Sequence, residues 1–130
     1  MSVAVIDAGV AIGWMQGRHR SLSKIDRLLG AARDGRTDVV ISVVNLAEVL
    51  MHTTELIRAT GVDAVALLTA SRVRIHQPDE AVARRVAKLR TSLADGFAAA
   101  TALELGARLH TTDKELIRQL RGTRLPVTPY

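Results

Sequence analysis

A chain of 130 residues, 48% hydrophobic but only 2% aromatic, has the length and apolar content for one core built from Val, Leu, Ile and Ala, and it lacks the aromatic platforms on which many nucleic-acid modules stack bases. With no cysteine it excludes disulfides, thiolate metal sites and thiol nucleophiles. A formal net charge of +5, reached in spite of 13 acidic residues, favours a polyanionic partner wherever the Arg and Lys cluster in space.

From the N-terminus, Val3 to Ile6 is a short apolar run rich in branched residues, which suits a strand covered on both faces. The run from Val3 to Met15 imitates a signal sequence, but Asp7 interrupts it and neither a basic flank nor a small-residue cleavage site accompanies it. Helical periodicity covers Ala8 to Gln16 and Leu22 to Arg33. Between and within these lie Arg18, His19, Arg20, Lys24 and Arg27, of which Arg18, Arg20 and Lys24 are candidate contacts to substrate phosphates. A second strand is expected at Val39 to Ile41, then a helix over Val43 to Arg58 and another over Val62 to Ser71. Val73 to Ile75 is a weaker strand, followed by a helix over Glu80 to Arg90. There Val82, Val86 and Leu89 form the buried stripe, and Arg84, Arg85, Lys88 and Arg90 face outward. A helix over Ala94 to Leu105, a strand over Arg108 to His110 and a helix over Lys114 to Leu120 complete the alternation. Leu125 to Thr128 reads as an edge strand, because Pro126 cannot donate to an interior ladder. Gly35, Gly61, Gly106 and Gly122 fall at or just beyond helix ends. Strand and helix in this order imply a mostly parallel α/β sheet with helices on both faces, in one domain over residues 1–130. No segment approaches the roughly twenty apolar residues of a membrane span, so a soluble cytoplasmic protein is expected.

Four carboxylates, Asp7, Glu48, Asp95 and Asp113, sit where a strand hands over to a helix or inside the helix that follows. Taken singly, helix capping accounts for three of them: Asp7 before Ala8, Asp113 before Lys114, and Asp95 as the acidic end of a capping box that starts at Ser92. Glu48 lies mid-helix among Val44, Met51 and His52, company unusual for a solvated face. Taken together, the acids follow the carboxyl ends of parallel strands, where such sheets bind ligands and where acids from distant segments can converge on a hard cation. His19, His52, His76 and His110 offer no rival site, since no two stand at zinc-ligand spacing.

In order and local context the four acids resemble the acidic quartet of the PIN domain, and in particular the PIN-domain toxins of bacterial and archaeal toxin-antitoxin pairs, the VapC type. The matching stretches are Val5-Ile6-Asp7, Ile41 to Val49 around Glu48, Leu93 to Ala102 around Asp95, and Leu109 to Asp113. The resemblance implies a PIN-like three-layer sandwich of about five mostly parallel strands flanked by helices. It also implies an endoribonuclease dependent on Mg²⁺ or Mn²⁺, with Asp7, Glu48, Asp95 and Asp113 as catalytic residues. Asp7 and Asp95 would bind metal directly, and Glu48 and Asp113 directly or through water. Thr111, two residues before the last acid, is assigned a supporting role, its alternative being a strand-end residue bonded to local backbone.

One departure stands out: relatives often carry Ser, Thr or Asn two residues beyond the first aspartate, where this chain has Gly9. The resemblance further implies an RNA substrate, a cognate antitoxin that can place an Arg among the acids, and a homodimer or a higher toxin-antitoxin assembly. The apolar helices between Val43 and Ser71 would offer the contact surface. Two other readings are weighed against this one. A phosphotransferase with an aspartyl nucleophile is disfavoured because the first strand ends Asp7-Ala8-Gly9, without the Asp-x-Asp of many such enzymes. A catalytically silent PIN-like RNA-binding or regulatory module would have no need of all four acids.

Overall fold

A computed structural model describes residues 1–130. In chain order the elements are β1 (Ser2–Ile6), α1 (Ala8–Gln16), α2 (Leu22–Arg33), β2 (Thr37–Ser42), α3 (Val43–His52), α4 (Thr54–Thr60) and α5 (Ala64–Ala70). They continue with β3 (Arg74–His76), α6 (Glu80–Leu89), α7 (Leu93–Glu104), β4 (Arg108–Thr111), α8 (Lys114–Gln119) and β5 (Val127–Pro129). The strands form one parallel sheet in the order β3-β2-β1-β4-β5. The chain winds outward from β1 to β2 and β3, then returns to the other side of β1 through β4 and β5, so the winding reverses between β1 and β4.

The continuous apolar runs are explained by cover on both faces. Ala4, Ile6, Val39 and Ile41 point into a cluster with Val10, Ile25, Leu29, Leu46 and Val49 of α1, α2 and α3. Their chain neighbours Val5 and Val40, with Leu109, point the opposite way, against Ala98, Ala99 and Ala102 of α7 and Leu116 of α8. Alanine brings the α7 backbone close to the sheet. Gly96 does the same for α6, because an added Cβ would meet Val86 Cγ1 at 2.8 Å.

The helix expected over Val43 to Arg58 is two helices. Thr53 separates them, with its backbone at φ −114° and ψ 11° and its hydroxyl donating to the carbonyl of Val49 at 2.7 Å. A β-branched residue that bonds back into its own preceding turn disturbs the ladder there, a local effect that apolar periodicity does not reveal. The helix expected from Val62 begins only at Ala64, because Asp63 caps it by accepting from the Ala66 amide at 3.1 Å. The last strand is an edge strand, with Thr111 opposite Pro129.

A cleft of four carboxylates

Asp7 follows the last residue of β1, and its amide donates to the His110 carbonyl of β4 at 3.1 Å, so it stands at the reversal of winding. Its Oδ1 caps α1 by accepting from the Val10 amide at 2.9 Å. Its Oδ2 accepts from the Thr111 hydroxyl at 2.5 Å and from the Thr112 amide at 3.3 Å. Asp113 caps α8, its Oδ1 accepting from the amides of Glu115 and Leu116. Both aspartates therefore cap helices and also line a common cleft. That cleft, about 190 Å³ in volume, is bounded by Asp7, Ala8, Gly9, Ile12, Glu48, His52, Asp95, Thr112 and Asp113.

Glu48 reaches the cleft from α3 and Asp95 from the first turn of α7. The apolar company of Glu48 does not bury it. Met51 is 74% exposed, and Glu48 is half-buried at the cleft wall. The capping box expected at Ser92 is absent, since the Ser92 hydroxyl accepts nothing from the first turn of α7. Asp95 faces the other acids, with the Ser92 side chain beside its carboxylate.

The electrostatics are those of crowded anions. Burial pushes the Asp7 carboxyl up to about 6 against the pull of the Thr111, Val10 and Thr112 hydrogen bonds, and Asp95 adds to the rise. Burial also raises Asp95 against the pull of the Ser92 side chain, and the neighbouring Asp113 and Glu48 add to the rise. Four carboxylates supply only hard oxygen donors, the set that Mg²⁺ and Mn²⁺ accept, and a cation would relieve their repulsion. As placed, no three acidic or imidazole groups close into a cage. A closed cage is not what Mg²⁺ requires, since it keeps several waters and commonly meets only one or two carboxylates directly.

Thr111 is fully buried at the end of β4. Its hydroxyl donates to Asp7 and accepts from the Asp113 amide at 2.9 Å, linking two of the cleft's acids. The basic candidates lie elsewhere. Lys24 donates to the Pro129 carbonyl at 2.5 Å and sits 4.5 Å from the centre of the Tyr130 ring, so it is tied to the C-terminal strand. Arg18 and Arg20 are exposed and do not border the cleft. On α6, Arg84 pairs with Glu80 and Arg85 with Glu104.

His52, Asn45 and Thr112 are residues at the site that were not singled out from the sequence. His52 stands one turn after Glu48 and borders the cleft, and the spacing of four on a helix is the signal that could have found it. Its Nδ1 lies 2.9 Å from the Glu48 carbonyl, which can only accept, so this bond is donated by Nδ1–H. Asn45 is 1% exposed, and its Nδ2 donates to the Ala94 carbonyl at 2.9 Å, binding α3 to α7 beside Asp95. Its Oδ1 has no partner. A lone amide among Val43, Val44 and Leu46, three residues before Glu48, was the available cue.

Comparison with known proteins agrees with this architecture. The PIN domain family model matches residues 4–121. No curated protein matches the chain in sequence. Among solved structures, a toxin-antitoxin complex from Klebsiella pneumoniae is similar at 22% identity and a TM-score of 0.71, covering 98% of each chain. VapBC2 from Rickettsia felis, bound to a DNA fragment from its promoter, has 16% identity, a TM-score of 0.71 and 98% coverage of each chain. VapC20 from Mycobacterium tuberculosis, described as a sarcin-ricin loop cleaving toxin, has 16% identity and a TM-score of 0.64, with 88% of this chain and 93% of that one covered. At such identities the likeness establishes the fold.

Proposed function

The chain belongs to the PIN domain family, and we propose that it is a divalent-metal-dependent endoribonuclease, the toxin of a toxin-antitoxin pair. The observation that carries this reading is the convergence of Asp7, Glu48, Asp95 and Asp113, from four separate segments, on one cleft at the reversal of sheet winding. The sarcin-ricin loop cleaved by VapC20 supports RNA as the substrate class.

Asp7 and Asp95 would hold a Mg²⁺ or Mn²⁺ ion directly, and Glu48 and Asp113 would complete its shell directly or through water. Bound there, such an ion supplies an activated water and stabilises charge on the phosphate and the leaving oxygen. The protein fixes the geometry beforehand. Thr111, the Thr112 amide and the Val10 amide hold both oxygens of Asp7, and Asn45 docks α3 against the helix that presents Asp95. The excess positive charge of the rest of the chain attracts the RNA backbone, with Arg18 and Arg20 as exposed candidates for that contact.

Similarity to proteins solved as toxin-antitoxin complexes supports a cognate antitoxin as partner. Apolar surface suited to such a contact, or to a homodimer, lies between α1, α4 and α5. There an open cavity of about 200 Å³ is lined by Met15, Leu56, Thr60, Val62 and Leu67. No helix is long and apolar enough to cross a membrane.

The direct test is cleavage of RNA by the purified chain with Mn²⁺, with EDTA, and with Mn²⁺ restored after EDTA. Cleavage that EDTA abolishes and Mn²⁺ restores is expected. Full activity in EDTA overturns the metal mechanism, and RNA binding without cleavage under any metal favours a silent module.

A further inference from the structure

Thr112 contributes the one hydroxyl group among the residues that border the acidic cleft. Its amide is engaged with Asp7 at 3.3 Å, whereas its hydroxyl has no hydrogen-bond partner within the protein. The hydroxyl of Thr111, by contrast, is occupied by Asp7 and by the Asp113 amide.

The second observation comes from the facing wall. A Cβ built on Gly9 would meet Thr112 Oγ1 at 1.9 Å and Thr112 Cβ at 3.2 Å, and would lie 3.5 Å from Asp7 Oδ1. The Thr112 hydroxyl thus occupies the space in which any side chain at position 9 would begin. Gly9 is not among the glycines with positive φ, so the backbone does not require glycine there. Within a helix, glycine is unfavourable relative to alanine. What it provides at this position is room.

We infer that Thr112 is a positioning residue of the acidic site, its hydroxyl holding a water of the bound cation's shell beside Asp7, and that residue 9 is glycine to admit it. The inference rests on the metal-dependent reading proposed above. A Mg²⁺ or Mn²⁺ ion held by few carboxylates keeps several waters, each with protons to donate. Thr112 offers them an acceptor that adds no negative charge to an already crowded cluster.

Calorimetric titration with Mn²⁺ tests this on the purified full chain. Thr112→Val preserves the branched shape and removes the hydroxyl, and should weaken binding roughly three- to tenfold, the worth of one net hydrogen bond. Thr112→Ser should keep the wild-type affinity. Thermal melts test the steric half: Gly9→Ala should lower Tm in the wild-type background and raise it when Thr112 is also replaced by Gly. Thr112→Val binding Mn²⁺ like wild type overturns the role of the hydroxyl while leaving the metal site standing. Gly9→Ala tolerated beside an intact Thr112 overturns the steric relationship. A wild-type chain that takes up no Mn²⁺ overturns the metal reading and this inference together.

Discussion

The Thr111 hydroxyl donates to Asp7 across the boundary between β4 and β1, tying the ends of two adjacent strands 104 residues apart in sequence. Because the acceptor is a buried carboxylate, this bond opposes the upward pull of burial on Asp7. Thr111→Val should therefore raise the Asp7 carboxyl further above about 6. The acidic limb of the cleavage pH profile should move to higher pH, with a stability loss of about 1–2 kcal/mol from the broken network. Thr111→Ser should restore both. A pH profile unchanged in Thr111→Val would separate Thr111 from the site.

Two buried groups make opposing contributions to the pH dependence of stability in the metal-free protein. Asp7 titrates at about 6 in the fold against 3.8 unfolded, so the folded state binds the extra proton between those values and stability falls as pH rises through them. His110, beside the Tyr130 hydroxyl at 2.7 Å, is pushed down to about 4 by burial, with Arg108 and Lys24 adding to the shift. There the unfolded state binds the extra proton, and stability rises from about pH 4 to about 6.5. The two contributions therefore oppose each other across that window, and the raised Asp95 carboxyl adds to the fall. Asp7→Asn removes the first contribution, so its stability should climb with pH against that of wild type. Relative to wild type it should gain up to about 3 kcal/mol at neutral pH and nothing near pH 4. Urea melts in EDTA at several pH values would measure the difference, and parallel curves for the two proteins would contradict it.

Much of this was legible in the sequence because apolar runs and turn residues are local signals. Val3 to Ile6 announces a strand covered on both faces, and Pro126 announces an edge. The acids were legible as a family pattern, whereas their packing was not. Nothing in the periodicity of Val43 to Arg58 shows that Thr53 turns its hydroxyl back on Val49, nor that Met51 faces solvent beside Glu48. Lys24 read as a phosphate contact because its partners, Pro129 and Tyr130, lie more than a hundred residues away. The relation of Gly9 to Thr112 was invisible for the same reason. The helix carrying Gly9 and the turn carrying Thr112 meet only once the sheet is wound.

Asn45 makes one buried hydrogen bond to Ala94 and leaves its Oδ1 unpartnered, so its polar cost is met on one side only. Asn45→Ala should lower stability by about 1–3 kcal/mol, since it strips a buried carbonyl's side-chain partner and leaves a small void. Because the bond docks α3 on the helix start that presents Asp95, Mn²⁺ affinity should fall as well. A variant that loses stability but binds Mn²⁺ with unchanged affinity would confine Asn45 to the packing of α3 on α7.

Glu48 has no capping duty, because it lies inside α3 rather than at its start. Its charge raises the Asp95 carboxyl, so without a cation it acts against its neighbours. Glu48→Gln keeps the shape and helix propensity while removing that repulsion, and metal-free stability should hold or rise slightly. Affinity for Mn²⁺ should fall, and cleavage should drop by roughly a hundredfold or more, since a charge aimed at the reacting phosphate's counterion is lost. Asp95→Asn should do the same to cleavage more severely, as the proposed direct ligand. Calorimetry and cleavage assays on the two variants rank the acids. If Glu48→Gln binds metal and cleaves RNA like wild type, Glu48 is a bystander at the cleft wall, and the site reduces to the three aspartates.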